Sequence, residues 1–318
     1  MARAHAKNLP LSPGTRLNRY RIAKRLASGG YGVVYMGQRD DGKWVAIKEF
    51  LPLVIACRTR PKQVQVEISD QVDHDRFQAG LRAFFREADM LSRIHDERII
   101  AIWDVFEQHG TAYFAMPLER GHTLHEMLRP DRPLGDAQLR QIFVEAAQGV
   151  EALHASGLLH LDLKPGNLWM RPEGNIVVLD LGASRWQDEE GHASSLARTP
   201  GYAAPEQHQR LRAQMGDDGK MVLHGRAEMD ARTDVYGLAA SMRALLEGQA
   251  PPEAPDRDPS ETLRRKWLGQ RQSGLLEVID RGMAFQPAER YPSVKAFRQA
   301  LQALPRVTDR GLLQDGLD

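Results

Sequence analysis

The chain has 318 residues, enough for one large domain or two lobes with a sizeable core. Its 43 Lys and Arg nearly balance 42 Asp and Glu, for a formal charge of +1, which argues against a nucleic-acid binder. The lone Cys57 fits a reducing compartment and no apolar run approaches the roughly 20 residues that span a bilayer, so a soluble cytoplasmic protein is expected.

Residues 1–14 hold Pro10, Pro13 and Gly14 with little apolar content and read as a loose arm. The basic start at residues 1–8 lacks the apolar segment of a signal peptide. Tyr20-Arg21-Ile22-Ala23-Lys24-Arg25-Leu26 reads as a strand leading into Ser28-Gly29-Gly30-Tyr31-Gly32. Val33-Val34-Tyr35, an Asp41-Gly42 turn and Trp44-Val45-Ala46-Ile47-Lys48 follow, a strong hairpin signal. The glycines could close over a phosphate or simply serve a flexible hairpin. A dinucleotide fingerprint fits poorly, because Val34 stands where its next glycine belongs and a strand follows; no Walker-type loop is present.

Residues 77–94 predict an amphipathic helix, with Phe77, Leu81, Phe84, Ala88 and Leu91 on one face. Glu87 falls inside that apolar stripe, which is costly unless the carboxylate is paired or reaches water at the stripe's edge. Before the helix lies an insert, about residues 51–76, with a basic patch at Arg58, Arg60 and Lys62 and an alternating Val64-Gln65-Val66-Glu67-Ile68. The alternation suggests an extra strand or hairpin; the insert either docks a regulatory partner, restrains the helix, or is a solvated loop.

Residues 99–106 and 111–116 read as two more strands closing a small antiparallel sheet. His122, His125 and Glu126 match no zinc-protease order and are read as surface or packing residues. Gly135-Asp136 opens a helix carrying Leu139, Ile142, Phe143, Ala146, Val150 and Leu153, which Ser156-Gly157 stops. Then comes Leu158-Leu159-His160-Leu161-Asp162-Leu163-Lys164-Pro165-Gly166-Asn167, followed by Ile176-Val177-Val178-Leu179 and Asp180-Leu181-Gly182. Pro165 and Gly166 keep the first segment from being helix, and the apolar runs hold its polar residues at a rigid edge. A carboxylate, an ammonium, an amide and a second carboxylate gathered in this way suit phosphoryl transfer.

Past this point come Thr199-Pro200-Gly201-Tyr202, Ala204-Pro205-Glu206 and a long connection at residues 207–229 containing Gly216-Asp217-Asp218-Gly219. Thr233-Asp234-Val235-Tyr236-Gly237-Leu238 starts a mostly apolar helix; residues 275–285 and 294–304 read as closing helices, with a tail beyond.

The stretch around Asp162 and Asp180 resembles the His-Arg-Asp and Asp-Phe-Gly loops of eukaryotic-like (Hanks-type) bacterial serine/threonine protein kinases, with Leu161 and Leu181 as departures. Ser28-Gly29-Gly30-Tyr31-Gly32 is similar to the kinase glycine loop, although Ala27 replaces its first glycine, and Val45-Ala46-Ile47-Lys48 matches the third strand. The insert is similar to one in some proteobacterial members. Over residues 18–304 the resemblance implies a two-lobed α+β kinase fold, with an arm at 1–17, a β-rich lobe at 18–118, a mainly helical lobe at 119–304 and a tail at 305–318.

The same resemblance implies roles for individual residues. Asp162 orients the substrate hydroxyl, Lys164 faces the γ-phosphate, and Asn167 and Asp180 ligate Mg²⁺. Lys48, paired with Glu87, contacts the α- and β-phosphates of ATP under Gly29 and Gly32. Val34 packs on the adenine, Leu26 and Ala46 join the nucleotide-binding set, Met116 is the gatekeeper, and the Leu118 amide serves the hinge because Pro117 has none. Thr199 and Lys164 favour Ser/Thr acceptors. Glu206 pairs with Arg290, and Asp234 braces the catalytic loop.

Leu161 cannot make the charge-assisted contact to an activation-loop phosphate that the family's arginine makes, so phosphorylation at Ser194 or Ser195 should matter little. Two other readings remain: a pseudokinase scaffold, fed by Ala27, Leu161 and Leu181, and a small-molecule phosphotransferase, against which Ala204-Pro205-Glu206, Thr199 and Arg290 weigh.

Overall fold

A computed structural model describes residues 9–30, 32–58, 60, 62–68, 70–186, 199–208, 212–215, 221–224, 229–258, 262–267 and 271–305. The chain divides into two compact units, Met1–Arg120 and Gly121–Asp318. Among the described residues no helix is long and apolar enough to cross a membrane.

The first unit is built on an antiparallel sheet. Its strands are β1 (Arg16–Leu17), β2 (Tyr20–Ser28), β3 (Gly32–Arg39) and β4 (Trp44–Phe50); a small pair follows, β5 (Ala56–Cys57) with β6 (Glu67–Ile68). Helix α1 (Gln71–Ser92) comes next, then β7 (Asp104–Gln108) and β8 (Thr111–Pro117), and the main sheet runs in the order β1-β2-β3-β4-β8-β7. Directly paired residues share a face. The registers Val34↔Lys48↔Phe114 and Ala46↔Met116 therefore put Val34, Ala46, Lys48, Phe114 and Met116 on one face. Helix α1 packs there, with Phe84 stacked on Phe114 and Phe50 set between Phe77 and Phe84.

The opposite face carries Tyr35, Ile47, Glu49 and Tyr113. Its apolar alternation ends in a charged network. Arg58 and Glu49, both fully buried, form an ion pair, and the Tyr35 and Tyr113 hydroxyls each donate to the Glu49 carboxylate at 2.7 Å. Arg58 Nε also donates to Val64 O at 2.8 Å. Burial pushes both tyrosine hydroxyls well above their ordinary range, and the adjacent Glu49 charge adds to it.

Three expectations change here. Arg58 belongs to the core rather than to a basic patch. The insert is no solvated loop, since Leu51, Ala56 and Val66 are buried and Val66 N–H donates to His109 O. The arm is not loose at its end either: Leu11 is buried, its N–H reaches Tyr35 Oη at 3.0 Å, and Leu9 N–H donates to Arg58 O.

Two element boundaries also move. Helix α1 starts six residues before Phe77, because Asp70 accepts from Asp73 N–H and caps a polar first turn with no apolar rhythm to reveal it. Residues 99–103 lie outside the strand itself although Ile99 and Ile100 are buried and Trp103 N–H donates to Ala115 O, and residue pairing in the strand begins at Asp104.

The second unit is mainly helical. It contains β9 (His122–Thr123), α2 (Asp136–Ala155), β10 (Leu158–Leu159), β11 (Leu168–Met170), β12 (Ile176–Val178), β13 (Arg185–Trp186), α3 (Pro205–His208), β14 (Arg212–Met215) and β15 (Met221–His224). It closes with α4 (Ala231–Glu247), α5 (Leu263–Lys266), α6 (Ser273–Gly282) and α7 (Val294–Ala303). Helix α4 is the centre: every residue from Thr233 to Leu246 is buried, between α2, α6 and α7. Within the 207–229 connection β14 pairs with β15, while Gly216-Asp217-Asp218-Gly219, Ser194, Ser195 and the residues from 306 on lie outside the described residues.

Candidate active site

In the first unit, Lys48 Nζ meets Glu87 Oε1 at 2.8 Å. The carboxylate in the apolar stripe of α1 is thus neutralised, and Lys48 stands 5.3 Å from the Phe114 ring centre. Glu87 is almost fully buried while Lys48 keeps one-fifth of its side-chain exposure, enough to reach a ligand. Val34, Ala46 and Met116 lie on the same face by register; Leu26 and Gly29 are exposed, and Leu118 is half-buried. Gly32 is required by close approach, since a Cβ there would sit 2.2 Å from Glu49 O.

In the second unit the segment from His160 to Asn167 is held from below. Asp234, at the start of α4, accepts from His160 N–H and Leu161 N–H, each at 2.8 Å, and from His154 Nε2 at 2.8 Å. Burial pushes the Asp234 carboxyl up, but His154 and the loop amides outweigh it and hold the group below its usual range. Gly237 lets this helix approach, because a Cβ there would press on Leu163. Gln207 Nε2 donates to Leu161 O at 2.8 Å, and Ser184 Oγ to His160 O at 3.2 Å. Leu161 itself adopts φ +64°, a conformation leucine seldom takes, and it is fixed from both sides by Asp234 and Gln207.

At the top of this support three donors converge on Asp162. Lys164 Nζ lies 2.6 Å from Oδ2, Asn167 Nδ2 lies 3.2 Å from Oδ2, and the Thr199 hydroxyl donates to Oδ1 at 2.7 Å. Lys164 Nζ also donates to Thr199 Oγ1 at 2.9 Å. The expected non-helical loop proves to be a 3₁₀ turn over Pro165–Asn167, with proline where its missing N–H costs nothing.

Asn167 Nδ2 spends its bonds on Asp162 O and Oδ2, which leaves the Asn167 oxygen as the atom for a cation. The Leu168↔Val178 register and the Leu179 N–H to Asn167 O bond bring Asp180 alongside, at φ +58°. Two hard oxygen ligands fit Mg²⁺, which fills its octahedron with phosphates and water. Among the described residues no group of three or more His, Cys, Asp or Glu is gathered as a metal cage.

A protein kinase domain model matches residues 20–291. The chain belongs to the protein kinase domain family. It is 29% identical over 310 residues to serine/threonine-protein kinase Pkn1 of Myxococcus xanthus, covering 91% of this chain and 38% of that protein. To PknA of Nostoc sp. it is 26% identical over 299 residues, covering 90% and 47%, and to PknD of Mycobacterium tuberculosis 28% over 294, covering 88% and 39%. The chain thus spans half or less of the length of these curated relatives. The solved chain described as "PpkA-294 apo form" shares the fold, with a TM-score of 0.75 at 23% identity over 92% of this chain and 99% of that one.

Sequence reasoning missed Gln207, Ser184 and His154, which hold the kinase loop through backbone oxygens and Asp234. His154 carried a signal, since it stands in the last turn of α2, one residue past the buried Leu153. The platform pair does form: Arg290 binds Glu206 through two bonds of 2.7 and 2.8 Å, and Thr233 Oγ1 donates to Glu206 Oε1. Burial pushes the Glu206 carboxyl up, yet the Arg290 bonds and charge hold it below the usual carboxylate range. A group depressed on folding stabilises fully above its unfolded value, 4.5 for Glu206, and loses that contribution as pH falls. Glu206→Gln should therefore cost about 2 kcal/mol at neutral pH, its amide oxygen still accepting one Arg290 bond. The gap in melting temperature to wild type should narrow steadily below pH 4.5; a gap independent of pH would contradict the assignment.

Proposed function

We propose that this chain is an ATP- and Mg²⁺-dependent protein kinase that transfers the γ-phosphate to Ser/Thr hydroxyls of proteins, itself included, in bacterial signalling. The observation that carries the reading is the convergence of Lys164, Asn167 and Thr199 on the Asp162 carboxylate. In this reading Asp162 takes the proton of the incoming hydroxyl, and Lys164 offsets charge on the transferred phosphoryl group. Lys48, aligned by Glu87, binds the α- and β-phosphates; Val34, Ala46, Met116 and Leu118 receive the base. Asn167 and Asp180 hold Mg²⁺, which neutralises developing charge when bound. The names of the relatives and the Thr199–Lys164 contact support Ser/Thr acceptors. A cytoplasmic setting accords with the single cysteine.

Leu161 lies buried in a cluster with Leu159 and Met229, an apolar site ill suited to a phosphate. Replacing Ser194 and Ser195 together by alanine should leave kcat within about twofold of wild type, because Leu161 offers a phosphate no charged partner. A large loss of rate would show that phosphate docking matters after all. The reading as a whole is tested by transfer from labelled ATP, to the chain itself and to a generic basic protein, with phosphoserine or phosphothreonine as product.

A further inference from the structure

The insert touches the glycine loop. Leu53 N–H donates to Gly30 O at 3.2 Å, reaching the loop from outside its own hairpin. Among the described residues, a Cβ built at Gly29 or Gly30 would meet nothing within 4 Å. The donor sits on firm ground. It lies in a turn closed by Ile55 N–H and Ala56 N–H to Pro52 O, at 3.1 and 2.9 Å. Leu51, Pro52 and Ala56 around it are buried, and two residues on Arg58 enters the buried Glu49 pair. The base of this prop is continuous with β4, which carries Lys48, while Leu53 itself is 42% exposed and contributes little packing.

We infer that Leu53 is a positioning residue, whose main-chain N–H holds the glycine loop in place before a nucleotide arrives. A glycine-rich loop loses much conformational freedom when it closes over phosphates, and restraining it beforehand lowers that cost. The inference rests on the kinase reading, which makes residues 28–32 a phosphate-binding loop.

The test removes the donor and keeps the turn. Ile55 N–H bonding to Pro52 O puts Leu53 at the second position of its turn, where proline is favoured. Leu53→Pro therefore removes the N–H and sets the ring Cδ against Gly30 O in its place, and Leu53→Ala deletes the side chain while keeping the N–H. ATP binding is read by displacement of a fluorescent ATP analogue with Mg²⁺ present, alongside steady-state transfer. Leu53→Pro should raise Kd and KM for ATP at least about threefold, since one hydrogen bond is lost and the ring displaces the loop, with kcat and the protein substrate's KM within about twofold. Leu53→Ala should match wild type.

An unchanged ATP affinity in Leu53→Pro, or an equal shift in Leu53→Ala, overturns the inference alone. Absence of ATP binding by the wild type overturns the kinase reading and this inference with it. Should Leu53→Pro fail to fold, amide exchange in the wild type decides. A Leu53 N–H that is protected, and slowed further by MgATP, supports the prop; exchange at the rate of an open chain sinks it.

Discussion

Asp162→Ala should cut phosphate transfer at least about a hundredfold while leaving ATP binding and folding close to wild type. The carboxylate is the acceptor on which Lys164, Asn167 and Thr199 converge, so its removal takes away both the proposed proton acceptor and the hub of their geometry. Loss of a positioned general base costs about 10²- to 10⁴-fold in rate, and losing the orientation of Lys164 adds to it. The loop backbone should survive, because Asp234 and Gln207 hold it through main-chain groups that the substitution leaves alone. Labelled phosphate on serine or threonine in the wild type, reduced at least about a hundredfold in the variant, is the expected pair of results. Equal transfer by both proteins would remove Asp162 from the mechanism. No transfer by either, with ATP bound, would shift the weight to a nucleotide-binding scaffold.

Arg58→Met should be the most damaging single change in the first unit that leaves the proposed catalytic residues untouched. It strands the Glu49 carboxylate at zero exposure with only the Tyr35 and Tyr113 hydroxyls for company. Breaking a buried ion pair from one side costs about 3–5 kcal/mol, whereas replacing both partners by neutral groups is often close to neutral. Adding Glu49→Gln to Arg58→Met should accordingly recover a large part of the loss, since the amide oxygen can still accept from the tyrosines. Urea denaturation of the two variants measures both effects. An Arg58→Met protein within about 0.5 kcal/mol of wild type would mean that the arginine is solvated.

Beside Arg60 and Lys62 in the sequence, Arg58 looks like one more surface cation, because charge clustering along a chain says nothing about direction. The clue to its burial lies in β4. Val45, Ile47 and Glu49 share the apolar face by strict alternation, so a carboxylate at the third position calls for a buried cation. Glu87 was legible by that same logic, a charge inside an apolar stripe, and its partner Lys48 through the resemblance of Val45-Ala46-Ile47-Lys48 to the kinase third strand. The Asp162 loop was legible because its chemistry is carried by residues close together in the chain. Gln207, Ser184 and Leu53 were not, for they act through backbone oxygens, and a side-chain pattern holds no record of which carbonyl will need a donor. Helix starts with polar first turns, as at Gln71, escape detection for a related reason, since only a cap marks them.

Leu161 has a consequence for how such a protein could be controlled. A covalent switch works when the modified group favours one of two conformations over the other, and the population moves by that difference. Here the proposed catalytic loop is held by Asp234 and Gln207, and Leu161 packs with Leu159 and Met229. In the proposed kinase a phosphate brought to Leu161 would meet only apolar side chains there. Covalent control of the proposed kinase would then have to act at a site other than Leu161.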